Sequence, residues 1–321
     1  MRLSTSMIYD QQMRGISTSQ SAWLKGGEQL ATGNRVNSPE DDPVAAAQAV
    51  VISQAQTETS QYKTARVFAT QNQSTEVTTL KQVTDVIINA QTTLVAASNG
   101  TLSDDDRQSY ATQLTGLRAQ LLNLANSTDG SGRYVFAGYQ SDKPPFVTDA
   151  TTGATTYEGG LTPISQKVDA SRTLTTNHTG EQIFNSLTST AVKEADGTAE
   201  TNIFNMLDTA IASLNKPLAD ASQADIDDGL AALEKSGRGL RNALNNVSSV
   251  SAEVGTNLQE LSSLDSKGDD TILNQKNQLS ALIGADTVES ISNYTMQQAA
   301  LKASYTVFQQ MSKLSLFNLN S

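Results

Sequence analysis

Residues 80–97 read LKQVTDVIINAQTTLVAA, and the apolar members Leu80, Val83, Ile87, Ala90, Leu94 and Ala97 recur at alternating spacings of three and four. This is the a/d pattern of helices packed nearly parallel, and it leaves one apolar stripe that needs a partner. The same phase runs back more weakly through Val51, Ala55, Tyr62, Ala65 and Ala69. No proline interrupts residues 44–143, so the spacing predicts a helix from about Val44 to Ala97, on the order of 80 Å long. Asn99 and Gly100 are read as its end, because glycine tolerates the left-handed conformation that follows many helix C-termini. Ser103 and Asp106 then form a capping box. Tyr110, Leu114, Leu117, Leu121 and Leu124 mark one face of the following helix, which is expected to pack antiparallel against the first.

The second proline-free stretch, residues 218–321, mirrors the first. Ile226, Leu230, Leu233, Leu240, Leu244, Val247, Val254, Leu258 and Leu261 keep heptad phase, with Gly237 and Ser251 as small residues in the seam. DSKGDD at 265–270 is expected to break this helix through its glycine and its locally hydrogen-bonding Asp and Ser side chains. A final helix then carries Ile291, Tyr294, Leu301, Tyr305, Phe308, Met311 and Leu314 on one stripe. At the opposite end of the chain Tyr9, Met13, Ile16, Trp23 and Leu30 fit a matching seam.

The middle differs in character. It holds three of the six prolines, Tyr134 and Phe136 alternate as in a half-buried strand, and ISQKVDASRTLTTN at 164–177 places Ile164, Val168, Ala170 and Leu174 on one face at period two. The expected fold is therefore mainly α with an inserted β domain: a nested architecture in which a long helical bundle is formed by both chain ends. Residues 1–43 and 271–321 make a terminal coiled-coil domain, 44–133 and 201–270 a helical bundle domain, and 134–200 a β-rich outer domain. Nesting follows because each apolar stripe must be buried and its complement lies across the insertion.

Composition narrows the function. With 22 basic against 33 acidic residues and a net charge of −11, the chain lacks the basic footprint of a nucleic-acid binder. No apolar run approaches the roughly 18 residues of a membrane helix, so membrane insertion is not expected. The N-terminal MRLSTSMIYDQQMRGISTSQ has no apolar core of the kind that a secretory signal peptide needs. Without cysteine there is no disulfide framework and no thiolate nucleophile or ligand.

Catalytic motifs are absent from the pattern. His178, in TTNHTGEQ, is read as a surface or turn histidine, since neither HExxH nor GxSxG surrounds it. DGSGRYVFAG lacks the GxxxxGK[ST] of a phosphate loop and is read as the turn leading into the middle domain. Asp104, Asp105 and Asp106 have no EF-hand spacing and are explained by the favourable placement of acids in a first helical turn. Glu40, Asp41 and Asp42 are read likewise: Ser38 or Asp42 caps a helix, and Pro39 or Pro43 takes its first position. No catalytic, cofactor-binding or metal site is expected.

Four separated stretches, MRLSTSMIYDQQMRGI, LATGNRVNSPEDDPVAAAQAV, TLSDDDRQSYATQLTGLRAQLLNLANSTDGSGRYVFAGY and SYTVFQQMSKLSLFNLNS, resemble the flagellin superfamily, and more closely its hook–filament junction branch. The resemblance implies a structural, non-enzymatic protein of the bacterial flagellum, secreted unfolded through the flagellar type III channel. It implies a ring of neighbouring copies between the junction protein FlgK and flagellin, and a cytosolic export chaperone on the C-terminal helix. It also implies terminal segments that stay disordered until assembly. Assembly contacts are then expected at Tyr9, Met13, Ile16, Trp23, Leu30, Ile291, Tyr294, Leu301, Tyr305, Phe308, Met311 and Leu314, and at Arg35, Asp41 and Asp42 in the joint. The alternatives are a self-polymerising flagellin, which the small single insertion disfavours, and an enzyme hosted in the β domain.

Overall fold

A computed structural model describes the backbone of residues 5–218 and 221–317, and the side chains of 7, 9–218 and 221–311. The element order is α1 (Thr5–Thr32), α2 (Pro43–Ala97), α3 (Asp104–Ala125), β1 (Phe146–Thr148), β2 (Thr155–Tyr157), β3 (Ile164–Asp169), β4 (Arg172–Asn177), α4 (Gly180–Phe184), α5 (Ile203–Leu214), α6 (Gln223–Ile283) and α7 (Thr287–Phe317). The mainly helical fold with a small β region is the one the sequence predicts. The chain divides into two compact units, Met1–Ser60 with Gly268–Ser321, and Gln61–Lys267.

In the Gln61–Lys267 unit the predicted seams become the core. Leu80, Val83, Ile87, Ala90, Leu94 and Ala97 are all buried, as are Leu233, Leu240, Val247, Val254 and Leu261 at strict seven-residue intervals on α6. Of the weaker upstream phase on α2, Ala69 is buried but Val51 is exposed. Ser103 and Asp106 form the expected capping box. Leu114 and Leu121 enter the same core as α2, while α3 packs most closely on α5, a helix absent from the seam reading. Phe136, Phe146 and Phe184 from the middle of the chain join this core next to Phe204 of α5, so bundle and insertion share one apolar interior.

The β region consists of two antiparallel hairpins, β1 with β2 in the register Phe146↔Tyr157, and β3 with β4 with irregularities beside Ser165 and Asp169. A second small cluster of Ala69, Val168, Leu174 and Leu261 lies under the β3–β4 hairpin. Polar clamps add to it. The buried Arg66 donates to Asp265 Oδ1 and to the Val168 carbonyl, and Arg172 makes a two-point pair with Glu260.

The structure corrects several expectations. The DSKGDD stretch does not break α6, which runs on to Ile283; Gly268 is buried, and Asp265 is held by Arg66. The helical cost of one glycine, about 1 kcal/mol, is outweighed by the packing on either side. The interruption falls instead at Gly284–Asp286. Gly100 is not left-handed, and the turn after α2 is held by the Asn99 side-chain carbonyl, which accepts from the Thr101 N–H and hydroxyl. Tyr134 and Phe136 do not form a strand: Val135, Phe136 and Ala137 are buried together in a turn, with Gly138 at φ 57°. Ala170 sits exposed at the hairpin tip rather than on the buried face. His178 is not at the surface; it is 5% exposed and meets the fully buried Glu76.

Candidate assembly surface on the terminal helices

The unit made of both chain ends centres on α1 and α7, which run antiparallel. The Tyr9 ring meets Phe308 at 5.1 Å between centroids, and Trp23 stacks on Tyr294 at 5.8 Å and 28°. Two glycines of α1 allow the close approach. A methyl group at Gly26 would stand 2.7 Å from Gln297 Oε1, and one at Gly27 would stand 3.3 Å from the Tyr294 ring. Trp23 Nε1 and Gln297 Oε1 are both buried without a hydrogen-bond partner.

One seam of two helices buries little. Ile16, at 7%, is the one large apolar side chain of the described α1 residues that is buried, and none of the described α7 side chains is. Met7, Tyr9, Met13, Leu24 and Leu30 of α1 and Val288, Ile291, Met296, Tyr305 and Val307 of α7 are exposed, Met296 at 63% and Leu24 at 58%. Single apolar residues are ordinary at a surface; here ten are exposed on one helix pair, some flanking its seam and others, such as Met7, Met296 and Val307, on the far side of their helices.

Of the expected contact residues, the structure pairs Tyr9 with Phe308 and Trp23 with Tyr294, and leaves Met13, Leu30, Ile291 and Tyr305 exposed. Leu301, Phe308 and Met311 are half-buried. Leu314 lies outside the described side chains. Met7, Leu24, Val288, Met296 and Val307 belong to the exposed set but not to the expected one. Their apolar character was the available signal, but they fall off the heptad phase used to pick the seam.

The joint between α1 and α2 explains the acidic triplet. Gly33 leaves α1 at φ 71°, its N–H still bonded to the Gln29 carbonyl. The chain then pairs with the end of α6 through an Asn34↔Gly284 bridge, with the Arg35 N–H on the Ile283 carbonyl at 2.6 Å and the Ala285 N–H on the Gly33 carbonyl. Asp41 Oδ2 accepts the N–H groups of Asn37 and Ser38, and Asp41 Oδ1 lies 2.5 Å from Lys25 Nζ of α1. Asp42 Oδ1 accepts the Ala45 N–H and so caps α2, with Pro43 in the first helical position, where its missing N–H costs nothing. Arg35 Nη2 donates to the Leu282 carbonyl at 3.1 Å and reaches Asp42 at 3.5 Å.

The electrostatics follow. The hydrogen bond from Lys25, aided by the two backbone donors, holds Asp41 at a pKa of about 2. The Ala45 N–H, aided by Arg35, lowers that of Asp42. Glu40 is exposed. Among the described residues, no group of three acidic or histidine side chains is placed to hold a metal ion. None of the described helices is long and apolar enough to cross a membrane.

Comparison with known proteins gives a consistent result. Residues 3–141 match the family described as the bacterial flagellin N-terminal helical region. Over all 321 residues the chain is 57% identical to flagellar hook-associated protein 3 of Escherichia coli (strain K12) and 56% identical to the protein of that name in Salmonella typhimurium (strain LT2), with both partners covered in full. Among solved structures, the flagellar junction protein FlgL from Legionella pneumophila superposes with a TM-score of 0.61 at 19% identity, covering 74% of this chain and 99% of that one. At that identity the likeness is one of fold.

Proposed function

We propose a structural junction role on this premise: the chain belongs to the family of flagellar hook-associated protein 3, a structural part of the bacterial flagellum and not an enzyme. In this reading the protein is secreted through the flagellar type III channel and forms a ring at the hook–filament junction. A FlgK-type junction protein lies on one side and flagellin on the other. A cytosolic chaperone holds the C-terminal helix before export. Residues 1–43 and 271–321 are the assembling domain, 44–133 and 201–270 the bundle, and 134–200 the outer domain.

The observation that carries this reading is the set of ten apolar side chains left exposed on α1 and α7. A single helix pair is marginal on its own and becomes stable when its open face is covered, so folding of the ends is coupled to assembly by mass action. Arg35, Asp41 and Asp42 serve this by fixing the joint from within the subunit, since each is already committed to partners in its own chain. Filament-forming flagellin is the second reading, favoured by the match over residues 3–141.

The test is complementation of a strain lacking the gene. The unaltered chain should restore attached filaments. A variant carrying Met13→Asp and Met296→Asp, exported in equal amount, should leave hooks intact and shed flagellin into the medium. Attached filaments in that strain would overturn the proposal, and long filaments grown from the purified chain alone would favour the flagellin reading.

A further inference from the structure

His178 lies in the link between β4 and α4, 5% exposed. Its Nδ1 is 2.8 Å from Oε1 of Glu76, a wholly buried residue of α2, and its backbone N–H points at the same carboxylate, 3.2 and 3.4 Å from the two oxygens. On its other side Nε2 is 3.5 Å from Oε1 of Glu253, an exposed residue of α6. A carboxylate only accepts hydrogen bonds, and a neutral imidazole donates through one nitrogen alone. Both ring nitrogens face carboxylates, so only the imidazolium satisfies the two at once.

We propose that His178 is a proton-operated clasp: charged, it ties the end of the β3–β4 hairpin to both Glu76 of α2 and Glu253 of α6, and on losing its proton it lets go of Glu253, leaving this end of the hairpin less tightly held to α6. The shorter bond to buried Glu76 keeps the remaining ring proton on Nδ1. The Nε2 lone pair then faces Glu253, and the site holds two carboxylates without a cation.

The charged groups acting on the ring are Glu76 from α2 and Glu253 from α6, while Glu181 of α4 turns to Asn185. Burial works against the charge on His178. The hydrogen bond and the negative charge of Glu76, then those of Glu253, outweigh it, and the pKa lies above the ordinary 6.5. The stabilisation is therefore fully present below about pH 6.5, the unfolded-chain value, and is lost as pH rises through the raised folded value.

His178 is the only histidine in the chain, so its imidazole resonances report the site without ambiguity in the full-length protein free of added histidines. NMR titration should give a pKa above 6.5, lowered by Glu253→Gln, whose side chain is half outside the core. Amide exchange across 164–184, corrected for its intrinsic pH dependence, should show opening increase by up to tenfold per pH unit within the titration range, the limit for one proton. His178→Gln should flatten that dependence. A pKa at or below 6.5, a pKa unmoved by Glu253→Gln, or the same pH dependence of exchange in the unaltered chain and His178→Gln would each overturn the clasp. The Glu253→Gln arm decides alone if His178→Gln does not fold.

Discussion

Replacing Phe184 with alanine should destabilise the Gln61–Lys267 unit more than any change at its surface. The ring is 1% exposed on the short helix α4 and stands edge-on to Phe136 at 5.6 Å and 82° and to Phe146 at 5.3 Å and 84°, with Phe204 of α5 at 6.3 Å. Its neighbours come from a turn, a strand and a bundle helix, and no single element can move to fill the space. Truncating a buried phenylalanine costs about 3–5 kcal/mol in transfer and cavity terms. Edge-to-face contacts of about 0.5–1.5 kcal/mol each fall within that figure. For a unit of this size, each kcal/mol moves the midpoint by about 2–4 °C, so a calorimetric shift of roughly 6–20 °C is expected. A shift of less than about 3 °C, about 1 kcal/mol on the same scale, would mean that β region and bundle do not share a closed core.

Two further outcomes concern the joint. Gly33→Ala meets no neighbouring atom but must adopt φ 71°, which should cost about 1–2 kcal/mol and appear as faster protease cleavage between residues 33 and 43. Asp41, held at about 2, stabilises the fold above its unfolded value; that contribution should fall away between about pH 4 and pH 2, read from the titration of its carboxyl carbon. Asp41→Asn should remove this acid step while the cap at Asp42 remains.

The long seams were legible because packing and periodicity agreed: Leu233, Leu240, Val247, Val254 and Leu261 repeat every seven residues and all are buried. The acidic triplet was legible as a cap because Asp42 precedes a proline at the head of an apolar run. What the sequence hid was non-local. DSKGDD reads as a breaker until Arg66, 199 positions away, is seen holding Asp265. His178 reads as a loop residue because its buried partner Glu76 lies 102 positions back. Lys25, whose hydrogen bond is the largest cause of the lowered pKa of Asp41, carries no local sign of that role. Phe136 failed as a strand residue because three consecutive positions are buried, a pattern that a turn inside a core allows and an alternating strand does not.

The central claim is that the apolar side chains left exposed on α1 and α7 are covered by neighbouring chains on assembly. Amide hydrogen exchange compares the two helices directly in the isolated chain and in the chain assembled with the junction partner and flagellin. The account predicts fast exchange over residues 5–32 and 287–311 in isolation and strong protection on assembly, with the core amides of 80–97 and 233–261 unchanged. Terminal helices as protected in isolation as that core, or no gain on assembly, would contradict it.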